Sequence, residues 1–192
     1  PFFVENVVGD AGLDINASTT GLNGRLGLPF TAGDVCGEQV PVFGSHPTMD
    51  GDDIYIPDPA RSMMYRYNRI SLQVEPFVTP QFIPAYADGI LSFTGAGRTR
   101  SPVGSAIIPG ADSVFFSDNQ NFAIRSAKRI DDVSSELLTI SGSPPPANIS
   151  LDDDGPLFVA RYGSPTAMRF STDGYLYVCD AYGTHSIGAI RR

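Results

Sequence analysis

The sequence has no tryptophan, only two cysteines and two histidines, and fewer cationic than anionic side chains, with 13 Lys and Arg against 21 Asp and Glu. Each shortage excludes something. Cys36 and Cys179 cannot build a disulfide framework and have no metal-ligand spacing, so one bridge or two free thiols are both open. His46 and His185 cannot by themselves build a three-histidine zinc site. A formal net charge of -8 argues against non-specific binding to nucleic acid or to anionic membranes, both of which depend on clustered Lys and Arg. No run approaches the roughly 20 apolar residues of a membrane helix, so no membrane insertion is expected. The sequence starts at Pro1 and not at Met, which suggests a processed protein or a piece of a longer one.

What is present is Gly (20), Pro (16) and many Val, Ile, Phe and Tyr, with no long run of helix formers at helical spacing. Short strands joined by turns follow, and the expected fold class is all-β. Asn16 and Asn148 each open an Asn-x-Ser triplet in a polar, turn-rich stretch. They are candidate N-glycosylation sites, and they point to a secreted, extracellular or cell-surface protein.

An internal repeat organises the chain. Asp53-Ile-Tyr-Ile-Pro-Asp58, Ser113-Val-Phe-Phe-Ser-Asp118 and Tyr175-Leu-Tyr-Val-Cys-Asp180 are three short strands closed by aspartate. Tyr55, Phe115 and Tyr177 stand three residues before the aspartate, and Ile56, Phe116 and Val178 two before it. Arg69, Arg129 and Arg191 follow eleven residues after it. Ahead of each strand comes a turn pair, Asp50-Gly51, Pro109-Gly110 or Asp173-Gly174, where glycine accepts the positive φ of a tight hairpin. Ahead of the turn lies another apolar stretch with a proline, Val40–Phe43, Pro102–Ile108 or Pro165–Phe170. Ile90–Gly95 and Leu137–Gly142 are the candidates for a fourth strand. A four-stranded meander repeated in this way reads as a β-propeller blade, although the aspartates are 60 and 62 residues apart, longer than a compact blade. The excess falls in connections, where insertions cost little.

The third unit carries the most specific signature: Asp154-Gly155-Pro156, Ala160-Arg161-Tyr162, Gly163-Ser164-Pro165, Asp173-Gly174-Tyr175-Leu176-Tyr177-Val178-Cys179-Asp180 and Ile190-Arg191. It resembles the NHL repeat. The resemblance covers most of residues 41–192 and is looser in the first two units, whose loops depart from the pattern. It implies a propeller or partial propeller of three NHL-like four-stranded blades: 41–95, 96–142 and 143–192, with 1–40 an outer strand and a long loop. Val7-Val8-Gly9-Asp10 looks like the strand and glycine that end a preceding unit. Such an offset is what a strand-swapped ring closure would leave, but three blades are fewer than the usual closed ring of roughly four to eight.

The recurring Asp58, Asp118 and Asp180 suggest a ring of carboxylates holding calcium, but a simpler role explains them. An aspartate at a strand end accepts N–H groups of the following loop, and that is the reading taken here. Tyr55, Phe115 and Tyr177 then pack between blades, on the face opposite Ile56, Phe116 and Val178. For Arg69, Arg129 and Arg191 two roles are open: pairing with an aspartate of the same or a neighbouring blade, or binding an anionic ligand at one rim. Asp152-Asp153-Asp154 lacks the alternation of an EF-hand loop, and the cluster Asp50, Asp52 and Asp53 reads as a solvated turn. Ser141-Gly-Ser-Pro-Pro-Pro146 is read as a stiff loop. Gly95-Ala-Gly-Arg98 lacks the rest of a dinucleotide fingerprint, and no nucleophile elbow or zinc-binding helix motif is found. The expectation is a non-catalytic scaffold without a cofactor, making protein or glycan contacts, with self-assembly an option. Two rivals are a metal-dependent propeller hydrolase or lyase completed by further blades, in which calcium would be one metal, and a subunit of an extracellular filament.

Overall fold

The computed structural model describes residues 46–78, 85–91, 97–130, 135–142, 154–181 and 189–192. Their regular structure is strand, in three antiparallel sheets, apart from one short 3-10 turn at Asn119–Asn121. Among them no helix is long and apolar enough to cross a membrane.

Sheet one is the meander β1 (Thr48–Asp50), β2 (Asp53–Asp58), β3 (Met63–Asn68) and β4 (Gln73–Val78). β5 is Gly89–Leu91. Sheet two is the meander β6 (Pro102–Ile107), β7 (Ser113–Asp118), β8 (Ala123–Arg129) and β9 (Ser135–Gly142), with β5 added beyond β9. Sheet three is β10 (Pro165–Phe170), β11 (Leu176–Asp180) and β12 (Ala189–Arg191).

The repeat governs register as well as sequence. Pro102 lies opposite Asp118 and Ser105 opposite Phe116; likewise Pro165 lies opposite Asp180 and Met168 opposite Val178. Each of these hairpins thus has its irregularity at the same step. The three turn glycines adopt φ of +57°, +78° and +86° at Gly51, Gly110 and Gly174, the left-handed conformation that favours a residue without Cβ.

Three expectations are corrected. The fourth strand of the first unit is Gln73–Val78, whereas the Ile90–Gly95 stretch contributes β5 to sheet two, where Ile90 pairs with Glu136. Residues 89–91 therefore belong structurally to the second unit and not to a blade spanning 41–95. The first hairpin uses Thr48–Asp50 as its leading strand, and Val40–Phe43 lies outside the described residues. Finally, sheet two carries β5 as a fifth strand beyond its four-stranded meander, and sheet three has three strands among the described residues.

Hydrophobic burial lies between the sheets. Met64, Phe77 and Val78 of sheet one meet Ile107, Val114, Phe116, Ala127 and Leu137 of sheet two, with Tyr55 packed against them. Ala106 and Ile124 of sheet two meet Met168 and Val178 of sheet three around Tyr162, joined by Phe115, Ile140, Phe170 and Leu176. Strand alternation explains the division. Tyr55 and Phe115 look toward the following sheet, and Phe116 and Val178 look toward the preceding one. Phe115 meets Phe170 edge-on across the second interface, with ring centroids 5.0 Å apart. Tyr177, at the same register, is 37% exposed, and its neighbour Ile190 is 75% exposed.

The leading strands are also bonded to one another. His46 forms a parallel bridge with Gly104, donating its N–H to Val103 O at 2.8 Å and accepting Ser105 N–H at 2.9 Å. Ser117 Oγ accepts Gly104 N–H at 2.8 Å and donates to Thr166 O at 2.7 Å, linking sheet two to β10.

Candidate functional site

The three repeated aspartates end β2, β7 and β11 with carboxylates that are almost completely buried. Burying a carboxylate is costly unless donors replace water, and each has them. Asp58 accepts Arg61 N–H at 3.2 Å and the Arg61 guanidinium at 2.9 Å. Asp118 accepts Arg100 N–H at 2.6 Å, Asn121 Nδ2 at 2.8 Å and the Arg125 guanidinium at 2.8 Å. Asp180 accepts Gly163 N–H at 3.1 Å and Ser164 N–H at 2.7 Å, with Arg191 Nε 3.0 Å away.

Asp58 accepts a backbone N–H of the loop that follows it, and Asp118 reaches its following turn through the Asn121 side chain. The backbone that Asp118 and Asp180 hold lies instead just ahead of the leading strand of their own sheet. That segment lies beside the aspartate because Pro102 and Pro165 pair with Asp118 and Asp180. The carboxylates sit on separate sheets, and no group of three or more His, Cys, Asp or Glu side chains suited to a metal occurs among the described residues.

An extended polar assembly surrounds Arg125, which the repeat does not mark. Its side chain is fully buried in β8 and donates to Asp118 Oδ2 and Asp88 Oδ1, both at 2.8 Å, and to Ala87 O at 2.7 Å. The Tyr86 ring lies over the guanidinium, 4.8 Å from its carbon. Thr139 Oγ1 donates to Asp88 at 2.8 Å and lies 2.9 Å from Tyr86 Oη, while Asn121 Nδ2 donates to Ala85 O at 2.8 Å. Residues 85–88 are thereby fastened across sheet two. Burial pushes the Asp118 carboxyl up to about 6, against the pull of Arg125, Asn121 and the Arg100 N–H. Burial likewise raises Asp180, opposed by the N–H groups of Ser164 and Gly163.

The repeated arginines have three different partners. Arg69 lies just past β3 and pairs with Asp52 at 2.7 Å in its own hairpin. Arg129 reaches Glu75 of sheet one at 3.0 Å, and Arg191 adds Asp154 at 3.1 Å to its pairing with Asp180. The exposed pairs contribute at most about 1 kcal/mol and act mainly on register. Asp53 bonds Asn68 Nδ2 at 2.7 Å and Arg66 at 3.1 Å, so the first acidic turn is tied down as well as solvated. Cys179 is exposed and free. Asn16, Asn148, Cys36, His185, the Gly95-Ala96 pair and the prolines at 144–146 lie outside the described residues.

Clefts with apolar walls and an apolar run face solvent among the described residues. A cleft of about 690 Å³ opens between sheets two and three, lined by Phe115, Ile140, Phe170, Leu176, Tyr162 and β12. Another of about 720 Å³ lies where the leading strands meet, lined by Met49, Ile107, Ile108, Met168 and Phe170. Leu157, Phe158 and Val159 form a consecutive run exposed by 58%, 75% and 60%. Sequence reading passed over this run because it belongs to no strand or catalytic motif.

No protein-family model matches the chain, and no curated protein matches it. Among solved structures it is similar to an auxiliary nutrient binding protein from Bacteroides thetaiotaomicron, with a TM-score of 0.51 and 15% identity over 76% of this chain and 38% of that one. It is also similar to a protein from the same organism described as a putative phosphatase, with a TM-score of 0.48 and 19% identity over 66% of this chain and 30% of that one. The chain spans about a third of the length of these two proteins, and the likeness to the nutrient binding protein is one of fold alone.

Proposed function

We propose that the three sheets are consecutive blades of an NHL-like β-propeller, and that the chain serves as a non-catalytic scaffold in an extracellular or cell-surface assembly. The blade reading is supported by cores that lie between sheets and by leading strands that run side by side, as β1, β6 and β10 do through His46, Gly104 and Thr166. The scaffold reading rests on how the polar residues are used. The repeated aspartates are occupied by backbone N–H groups and arginines, whereas the exposed apolar run Leu157–Val159 is available for contact. Three consecutive large apolar side chains in water suit a protein interface or a glycan-stacking rim better than solvent.

Changing Leu157, Phe158 and Val159 together to serine tests this. The variant, folded by circular dichroism, is expected to lose the species that co-purify specifically with the wild-type protein from its natural source. Retention of every one of them would contradict the proposal.

A further inference from the structure

We propose that the cleft where the leading strands meet binds a small amphiphilic monoanion, a compound with an apolar body and one carboxylate, and that Arg169 receives the carboxylate. The site is separate from the 157–159 surface and does not depend on the scaffold reading.

The cleft is built from one repeated register. Thr48, Ala106 and Arg169 lie opposite Tyr55, Phe115 and Tyr177, so they hold the same place in β1, β6 and β10, and all three line the cleft. One step nearer the hairpin turns, Met49, Ile107 and Phe170 line it as well, and Ile108 and Met168 extend the apolar wall. A volume of about 720 Å³, a mainly apolar wall and a few polar groups are the features of a small-molecule pocket. Met49 and Met168 are two of the four methionines of the chain, and their unbranched side chains let the wall adapt to a ligand's shape.

Arg169 is the one charged residue among those that line the cleft. The repeat does not require it, since Thr48 and Ala106 fill the same place with short side chains. The fold does not use it either. Arg61, Arg66, Arg69, Arg125, Arg129 and Arg191 all reach carboxylates, whereas the exposed Arg169 side chain has no hydrogen-bond or ion-pair partner among the described residues. A departure from the repeat that no structural contact compensates marks a position kept for a ligand.

The surroundings define the ligand's chemistry. Its body is apolar, because Met49 and Ile108 are 57% and 44% exposed and a polar solute would leave them facing water. Its head carries a single negative charge. One guanidinium matches one carboxylate through two parallel hydrogen bonds. Two acidic side chains stand on the turns at the same rim: Asp50 Oδ1 accepts Gly110 N–H at 3.5 Å, and Asp173 accepts Ser171 Oγ. These carboxylates would repel a dianion such as phosphate more strongly than a monoanion. The net charge of -8 disfavours docking on an anionic bilayer, so the ligand is one that is free in solution.

Isothermal titration calorimetry of the full chain with octanoate, 1-octanol and octyltrimethylammonium tests the assignment. Octanoate should bind saturably, one per chain, and at least about tenfold more tightly than the cationic analogue. Arg169→Gln should weaken octanoate binding about tenfold and leave 1-octanol binding within about twofold of the wild type. Ile108→Asp should weaken the binding of both. The absence of saturable octanoate binding would overturn the proposal. So would an Arg169→Gln chain that binds octanoate as the wild type does, or an Ile108→Asp chain that keeps it, since the ligand would then sit elsewhere. Should Ile108→Asp fail to fold by circular dichroism, Met49→Asp at the more exposed wall position takes its place. Leu157, Phe158 and Val159 line no part of this cleft, so their serine variant should keep octanoate binding, and the two proposals stand or fall separately.

Discussion

Replacing Asp118 by alanine is expected to lower the unfolding free energy by about 3–5 kcal/mol, the cost of leaving one member of a buried ion pair without its partner. Arg125 cannot move to water, because its side chain is fully buried under Tyr86 and between β7 and the 85–88 segment. Its remaining carboxylate, Asp88, is itself 46% exposed and only partly compensates. Arg100 N–H and Asn121 Nδ2 would lose an acceptor at the same time. Asp58→Ala should cost less, about 1–3 kcal/mol, because Arg61 is 18% exposed and can reach water. Urea unfolding followed by circular dichroism gives both values, and equal costs at the two positions would contradict this account of the Arg125 network.

The same residue sets a pH dependence. Its folded value lies near 6, above the ordinary carboxylate value of 3.8, so between those limits the folded chain holds a proton that the unfolded chain has released. The stabilisation from that protonation is complete below the unfolded value and is lost as the pH rises through about 6. The stability of the wild-type chain relative to Asp118→Ala should therefore grow as the pH falls from 7 to 5.

Gly104→Ala is expected to separate sheets two and three at a cost of about 1–3 kcal/mol or more. A Cβ at Gly104 would collide with the Thr166 carbonyl oxygen, with Ala167 Cα only 3.1 Å away. All of the atoms it meets are backbone, so no side-chain rotation relieves the contact. The strand would have to back away from β10, stretching the Ser117 Oγ bond to Thr166 O and that of Asn119 Nδ2 to Ser164 Oγ. Faster hydrogen exchange in β10 and β11, with β2 and β3 unaffected, is the expected reading. A Gly104→Ala chain as stable as the wild type would show that the two sheets are not held at this point.

The residues that declared themselves in the sequence are those governed by local chemistry. β2, β7 and β11 follow from alternation closed by aspartate, and the three turn glycines follow from hairpin φ requirements. Partner choice was not legible. Ile90–Gly95 and Leu137–Gly142 carry the same small-and-apolar pattern, yet Ile90 and Leu91 pair with the second stretch's strand and not with their own unit, because strand pairing is decided by contacts distant in sequence. Gln73–Val78 was overlooked because Pro76 interrupts it, although proline suits a strand whose outer edge need not donate. Arg125 was invisible for a similar reason. The residue seven beyond Asp58 is Tyr65, so no repetition marks the position, and only a charge set among Ala123, Ile124, Ser126 and Ala127 hints at a buried pair. The aspartates were legible as structural groups, but their partners were misplaced for Asp118 and Asp180. The N–H groups they bind precede them by about 16 to 18 residues and come close only through the paired strands.

Asp58, Asp118 and Asp180 each hold a backbone segment, which on the proposed scaffold reading leaves no metal at these carboxylates. Elemental analysis of the protein purified from its natural source without chelators tests it most directly. The account predicts calcium and zinc well below one atom per chain, with unfolding unchanged by a chelator. Stoichiometric metal, lost together with stability when Asp118 or Asp180 is changed to asparagine, would contradict it.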